Sequence, residues 1–247
     1  MKRNLFKKDR YFSLILHTNF ITMTILEAIR QRHSVRSYTE QPIGAEAVTA
    51  LQEAIDACNR ESGLNIQLII DEPKAFGTSL MARYGKFSGV RNYLAMVGPK
   101  NDADLDGKVG YYGERLVLLA QQLGLNSCWV GLTYKKQADV VQIAADERLR
   151  CVIALGYGTT QGVAHKVKDV GKVCRSRTGE MPDWFCRGLA AALLAPTALN
   201  QQKFKFTLLP ENQVEAKAGM GYFSKVDLGI VKYHFEQGAG MENFSWK

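Results

Sequence analysis

The stretch LLAPTALNQQKFKF, residues 193–206, changes character within a few positions. It closes an alanine- and leucine-rich segment, turns at Pro196, becomes polar at Thr197 and Asn200, and ends in alternating lysines and phenylalanines. Proline stops helices because its nitrogen carries no hydrogen, and alternation of apolar and polar residues is typical of a strand with one buried face. The stretch therefore predicts a helix, a tight polar turn and a strand, all late in the chain.

A similar pattern stands much earlier in the chain. Residues 51–70 read as a helix, then GLNIQ at 63–67, then an apolar strand, and residues 187–209 repeat this order around ALNQQ at 198–202. Each copy is followed by a helix that contains glutamine and ends in glycine, LLAQQLG and HFEQG. A five-residue echo can arise by chance, because helix–turn–strand units are common. The matching order of elements nevertheless indicates a duplicated fold.

The remaining segments mix helices and strands without strict βαβ alternation, so the predicted fold class is α+β. The first helix starts at Thr24, which together with Glu27 has the spacing of a capping box. The polar segment that runs to about residue 180 is predicted as a loop. The other predicted helices are 45–60, 111–123, 136–144, 183–195 and 227–238, the predicted strands are 65–70, 93–98, 151–158 and 203–209, and 125–132 is predicted as a short turn or strand.

The composition is that of an ordinary globular protein, with 247 residues, 46% of them hydrophobic and 23% charged. The net charge is +8, and the first ten residues, MKRNLFKKDR, supply half of it. Basic residues elsewhere are scattered among acidic ones, which disfavours a nucleic-acid-binding function.

Two classes of protein are disfavoured by residue patterns. No run approaches the roughly 18 apolar residues of a membrane span. Five cysteines without a CxxC pair indicate reduced thiols, and therefore a cytoplasmic protein without structural disulfides. We expect residues 1–22 to form a poorly ordered extension and the domain to start near Met23.

Basic and polar side chains gather in RHSVR, residues 32–36, at the end of the first predicted helix. Arg32 and Arg36 present forked, permanently charged donors around the Ser34 hydroxyl, which suits a phosphate group or a ring rich in carbonyl oxygens. The alternative is a solvated basic turn that interacts with the carboxyl end of the helix. For His33, a structural role is the favoured interpretation, since no serine or cysteine nucleophile pairs with it.

Two further groups have both a functional and a structural interpretation. Lys166 and Lys168 point the same way in an extended chain, as a phosphate clamp or as part of a solvated loop. Trp129 lies two residues before Gly131, where a glycine would let a ligand approach the backbone. A tryptophan packed in the core is the alternative for this pair.

The amides of Asn200 and Gln202 can both donate and accept, which suits the edge of a heteroaromatic ring or the capping of a turn. The four histidines have no ligand-spaced partners, and no GxSxG motif or paired catalytic carboxylates stand out. A chain that can bind a phosphate and a flat polar ring, without a nucleophile or metal of its own, predicts a cofactor that carries the chemistry.

Four motifs in this order resemble those of the FMN-dependent nitroreductase family: ILEAIRQRHSVRSY, LAQQLGLNSCWVGL, IALGYG with HKVK, and LLAPTALNQQKFKF. The match is best to the TM nitroreductase branch, in which one chain carries two nitroreductase-like halves. The resemblance covers about residues 24–240. It implies a nitroreductase-like fold whose pseudo-symmetric halves, 23–175 and the shorter 176–247, form an intrachain pseudo-dimer, which would be a monomer or a homodimer.

In ordinary members of this family, FMN lies at a homodimer interface, between the RxSxR turn of one subunit and the PSxxNxQ turn of the other. This chain preserves the second motif well only in its second half, which implies one working flavin site and one degenerate site. It departs from the family at Asn126, where glycine is usual, and at Lys168, where arginine is common. The residues that the resemblance assigns to FMN are Arg32, His33, Ser34, Arg36, Trp129, Val130, Gly131, Lys166, Lys168, Pro196, Thr197, Ala198, Leu199, Asn200 and Gln202.

The implied function is that of an FMN-dependent oxidoreductase, which passes electrons from NADH or NADPH through the flavin to a nitroaromatic, quinone or related small molecule. No side chain is predicted to transfer protons, and no metal, nucleic acid or membrane is predicted to bind. The alternative is a non-catalytic flavin-binding module that senses redox state, because one of the two sites is degenerate.

Overall fold

The structure is a computed structural model, and it describes residues 23–76, 85–137 and 139–247. The extension predicted at residues 1–22 lies outside the described residues. Helix α1, Ile25–Gln31, begins at the predicted capping box, in which the Thr24 and Glu27 side chains each bond to the other residue's backbone N–H.

The first sheet is fully antiparallel, with strand order β1-β2-β4-β3. Its strands are β1 Asn65–Ile69, β2 Asn92–Pro99, β3 Asn126–Val130 and β4 Glu147–Gly156. Helices α2, Ala45–Ser62, and α3, Leu105–Gln122, flank β1 and β2 in the chain. Gly63 ends α2 in the left-handed conformation, with φ of 74°, which glycine adopts at little cost.

The second sheet has strand order β5-β6-β7-β8, antiparallel only between β6 and β7. Its strands are β5 Cys174–Ser176, β6 Phe204–Leu208, β7 Gln213–Ala218 and β8 Ser245–Trp246. The helices of this part are α4 Val170–Val173, α5 Asp183–Leu193 and α6 Ser224–Ala239, and single 3₁₀ turns cover Pro73–Phe76, Ala198–Asn200 and Met241–Asn243.

Helices α3 and α6 pack closely against each other and join the two parts. A Cβ at Gly110 would collide with the backbone carbonyl of Val226, and a Cβ at Gly229 would collide with that of Gly107. Glycine is required there because the two backbones touch. One continuous hydrophobic core extends from Leu116 on α3 to residues of α5, α6 and the second sheet.

Both parts of the chain have the same order of elements: a helix, two antiparallel strands and a helix. The order is α2-β1-β2-α3 in the first part and α5-β6-β7-α6 in the second. The predicted duplication requires this order, and the duplication itself stays a prediction. The predicted boundary between residues 175 and 176 falls inside β5.

The mixed α+β class and most predicted elements are confirmed, but the helix predicted at 136–144 is wrong. The described residues of this segment form turns and bends. The Gln67 side chain binds the backbone N–H and C=O of Gln142, at 2.9 and 2.6 Å, and so occupies groups that a helix would need. The segment keeps one short turn, in which Val140 and Val141 donate to the Gln137 carbonyl, and is otherwise fixed to β1.

Other differences concern boundaries and weak elements. Helix α3 starts at Leu105, six residues before the predicted start, because Gly107 and Gly110 hide the helical pattern there. The segment predicted as a loop up to residue 180 contains α4 and β5. Strands β7 and β8 were not predicted, since QVEAKA has few apolar residues and β8 has only two residues.

Candidate functional site

The RHSVR turn leaves α1 and runs beside β3. Arg32 caps the helix, the backbone N–H of Val35 donates to the carbonyl of Ser127 at 3.0 Å, and Ser34 pairs with Ser127. Arg32 is buried, at 2% exposure, whereas Arg36 is exposed and lies 5.9 Å from the ring of Phe87. The turn thus presents one buried and one solvated guanidinium.

Arg32 is the residue of the site whose hydrogen bonding is incomplete. Its Nε has no hydrogen-bond partner among the described residues, and the nearest carboxylate oxygen, Oε1 of Glu114, is 3.9 Å away. Burial lowers the pKa of Arg32, and the charge of Glu114 opposes this shift. A buried N–H donor without an acceptor is costly, and such groups are rare in folded proteins.

Glu114 on α3 is the centre of a buried polar cluster that the sequence did not predict. Its two oxygens accept from Trp129 Nε1 at 2.8 Å and contact His234 Nε2 at 2.8 Å. The other ring nitrogen of His234 lies 3.0 Å from the carbonyl of Ala191, which can only accept. Both ring nitrogens of His234 therefore face oxygen atoms, those of the Ala191 carbonyl and the Glu114 carboxylate. Charged residues on the apolar faces of two helices are the signal that could have found the cluster.

Strand β3 is an edge strand, and part of its outer edge is open. Because the Ser127 carbonyl faces Val35 and not β4, the backbone groups of Trp129 and Gly131 face the same outer side. Val130 is buried in the core of the first sheet, and its backbone groups face β4. At Gly131 the ring of Phe223 fills the place of a Cβ, and the predicted approach of a ligand to this backbone stays a prediction.

The turn after α5 has unusual backbone geometry. Leu199, Asn200 and Gln202 all have positive φ, between 43° and 52°. Three such residues in one turn are uncommon without glycine, and they cost energy that the surroundings must offset. The Leu199 side chain is fully exposed, while Pro196 is buried. An apolar side chain is therefore held out into solvent by a strained turn.

Hydrogen bonds fix this turn from two sides. The Thr197 hydroxyl accepts from the Gln202 N–H at 3.0 Å. Asp227 on α6 accepts from the Ala198 N–H and from the Gln201 side chain, both at 2.9 Å. Burial raises the pKa of Asp227, and these two donors oppose the shift.

The predicted basic segment lies directly against the turn. The Gln202 amide donates to the Lys166 carbonyl at 2.7 Å and accepts from the Lys168 N–H at 2.9 Å. The Asn200 amide donates to the same carbonyl at 2.8 Å, and Lys168 Nζ donates to the carbonyls of Gln201 and Gln202. The amides of Asn200 and Gln202 thus hold two segments together, which is the structural interpretation of these residues.

Histidines connect the first turn with the second. Burial and the positive charges of Arg32 and His165 lower the pKa of His33. His165 in turn contacts the carbonyl of Leu193 at 3.0 Å, at the end of α5. The RHSVR turn, the 165–168 segment and the turn after α5 are therefore neighbours, as the resemblance implies. Asn126, which stands where glycine is usual, accepts from the Gly158 N–H at 2.8 Å and so holds the end of β4.

No group of metal-ligating side chains occurs in the described ranges 23–76, 85–137 and 139–247. All five cysteines are free, and four of them are buried. Within the same ranges, no helix has the length and apolarity needed to cross a bilayer.

Solved structures from several bacteria are similar to this chain. A protein from Thermotoga maritima described as a "putative nitroreductase" has a TM-score of 0.64 and 21% identity, over 89% of this chain and 85% of that one. Another so described, from Desulfovibrio desulfuricans in complex with FMN, has a TM-score of 0.49 and 22% identity, over 65% of this chain and 98% of that one. No curated protein gives a match.

The family model described as "Putative TM nitroreductase" matches residues 24–239, which is nearly the whole described chain. The fold and the four ordered motifs agree with this match, and the chain belongs to that nitroreductase family.

Proposed function

We propose that the protein is an FMN-dependent oxidoreductase of the nitroreductase type. The observation that carries this proposal is the buried Arg32, whose Nε has no acceptor among the described residues, beside the open edge of β3. An anionic or carbonyl-rich ligand at this place would supply the missing acceptor, and FMN has both a phosphate and ring carbonyls.

The residues around Arg32 fit FMN in kind and in position. Ser34 and the exposed Arg36 extend the same turn, and the outward backbone groups of Trp129 and Gly131 offer donors at the strand edge. On the other side, the exposed Leu199 provides an apolar surface on which a flavin ring can stack. Pro196, Thr197 and Ala198 shape that turn, and His33 packs against Gly162.

In this proposal, four residues contribute mainly by positioning the second turn: Lys166, Lys168, Asn200 and Gln202. Their mutual hydrogen bonds keep the second turn in its strained form and leave the Lys166 ammonium available for a phosphate. FMN, when bound, would supply the redox chemistry between NADH or NADPH and a nitroaromatic, quinone or similar acceptor. The chain itself orients the ring, excludes water from one face and places positive charge nearby.

Reconstitution with FMN tests the proposal. Purified protein mixed with FMN should retain about one flavin per chain after desalting, as the visible absorption shows. Arg36→Gln and Leu199→Ala should each weaken retention, because they remove a charge and the apolar cover, respectively. Arg60→Gln, on the exposed face of α2, is the matched control and should not. A wild-type protein that takes up no FMN would sink the proposal.

Anaerobic titration with NADH and NADPH separates an enzyme from a non-catalytic module. An enzyme should bleach the bound flavin with at least one donor and regain the colour when a quinone or nitroaromatic compound is added. Flavin that binds but stays oxidised with both donors would support the redox-sensing module instead. Sedimentation at the monomer mass, with one flavin bound, would support a composite site within one chain.

A further inference from the structure

A basic groove covers the outer face of the second sheet. Its volume is about 550 Å³, which is within the usual range of small-molecule sites. Seven lysine and arginine side chains line it, against one carboxylate, that of Glu215. Protein surfaces normally mix both signs of charge. Such a strong excess of positive charge therefore indicates a negatively charged partner.

The alternation of β6 aims these cations outward. Phe204 and Phe206 are buried in the core, so Lys203 and Lys205 point to the opposite face. The pairing places Lys205 directly opposite Lys217 on β7, and Arg175 of β5 opposite Thr207. Like charges that face each other across a strand pair destabilise a sheet unless an anion lies between them.

Internal carboxylates neutralise only part of this charge. Glu215 pairs with Lys217 at 2.9 Å, and Asp169 lies 3.8 Å from Lys172. In the described part of the chain, no carboxylate lies within 4.0 Å of the ammonium or guanidinium nitrogens of the remaining cations on the sheet face, Arg175, Arg177, Lys203 and Lys205. Among the described residues, four cations in one concave surface are therefore without a carboxylate in ion-pair distance.

The first sheet shows that an outer face need not be polar in this fold. There, Tyr93, Ala95 and Val152 are buried beneath Tyr38 and Phe76. In the second sheet, the described residues on the groove side include seven cations and a single carboxylate, where a merely solvated face would mix both signs more evenly.

We propose that this groove binds a small molecule that carries two or more phosphates, of the chemical type of a nucleotide's diphosphate group. Guanidinium and ammonium groups bind phosphate oxygens by charge-assisted hydrogen bonds, and several of them within one groove favour two or more phosphates over one. The groove reaches Lys168 and Gln202, which also belong to the candidate flavin site. A ligand in the groove would thus lie next to that site without sharing Arg32 or Trp129.

Calorimetric titration with inorganic pyrophosphate tests this proposal on the full chain. Arg175→Gln combined with Lys205→Gln should weaken binding about tenfold or more, since each lost charge-assisted bond has that order of effect. Arg60→Gln combined with Lys135→Gln removes the same net charge from exposed positions outside the groove and should leave the affinity unchanged. Arg177→Gln combined with Lys203→Gln provides a second groove variant, and thermal melting confirms that each variant is folded.

Equal affinity in wild type and in both folded groove variants, or no pyrophosphate binding at all, would overturn the proposal. So would a single-stranded oligonucleotide that displaces pyrophosphate with an affinity growing with its length, because that is the behaviour of a nucleic-acid surface. Pyrophosphate binding needs no flavin, so this outcome is independent of whether the protein takes up FMN.

The source of the phosphates is decided by two comparisons. If the groove holds the adenosine end of NADPH, 2′,5′-ADP should compete with pyrophosphate better than ADP does. The groove variants should then also raise KM for NADPH more than for NADH. This comparison of KM values rests on the proposed function. If ADP competes better and both KM values are unchanged, the ligand is a separate nucleotide. Either result supports a polyphosphate site.

Discussion

Replacement of Glu114 by Gln should destabilise the protein strongly, although the new side chain has nearly the same shape. Glu114 is fully buried and lies beside Arg32, which is 2% exposed. At the 3.9 Å separation of Arg32 Nε and Glu114 Oε1, the attraction is about 4 kcal/mol for an effective dielectric constant near 20. A glutamine also faces the donors of Trp129 and His234 with only one oxygen.

Part of this loss is offset, because a buried carboxylate no longer has to be desolvated. We therefore expect the free energy of unfolding to fall by about 3 kcal/mol, within the range for breaking a buried ion pair. Urea unfolding followed by circular dichroism measures this change as a lower midpoint at an unchanged m-value. Glu53→Gln, on the exposed face of α2, is the control and should change stability by less than about 0.5 kcal/mol.

A double-mutant cycle with Arg32→Gln isolates the pair itself. The coupling free energy between positions 32 and 114 should be about 1–3 kcal/mol, because the second substitution removes the uncompensated buried charge. A Glu114→Gln variant within about 1 kcal/mol of wild type, or a coupling below about 0.5 kcal/mol, would refute the view that this cluster depends on its charges.

Three further changes test other parts of the structure. Leu199→Gly should raise the free energy of unfolding by about 1 kcal/mol, since glycine relieves the positive φ, but it should weaken FMN retention. The control Glu211→Gly, at φ of 58°, should stabilise the protein similarly without affecting FMN retention. Equal FMN retention in both variants would contradict the role of Leu199. Gly229→Ala should lower the urea midpoint by the equivalent of about 2 kcal/mol or more, because α3 and α6 must separate, whereas Gly171→Ala has open space and should not. Ellman's reagent should label only the exposed Cys186 in the native protein at neutral pH, because burial raises the pKa of Cys58 to about 11 and that of Cys151 to about 12; rapid reaction of two or more thiols would contradict this burial.

The sequence predicted those elements whose own residues determine them. Helix α2 and strands β1, β2 and β6 follow from apolar periodicity, and the helix start at Thr24 follows from its capping box. The helix predicted at 136–144 failed because a distant side chain, Gln67, takes the backbone groups of Gln142. Such a bond links residues 75 positions apart, and no local pattern reports it.

The candidate site divides in the same way. A turn residue such as Gln202 could be singled out because proline and polar residues mark the turn, yet its contacts with Lys166 and Lys168 are known only from the fold. Glu114 and His234 were missed, since they lie on different helices and their contact spans 120 positions. A polar residue on the apolar face of a helix is informative only when a second such residue can be placed beside it.

The alternation at 203–206 ties the core, the groove and the candidate site to one register. Phe204 and Phe206 are buried while Lys203 and Lys205 line the groove. A slip of β6 by one residue would bury the lysines and expose the phenylalanines, which the cost of burying charge forbids. The same strand begins two residues after Gln202, which binds Lys166 and Lys168, so its register also fixes where the strained turn presents Leu199. The hydrophobic core thereby determines the position of the apolar cover over one proposed ligand and of the cations around the other.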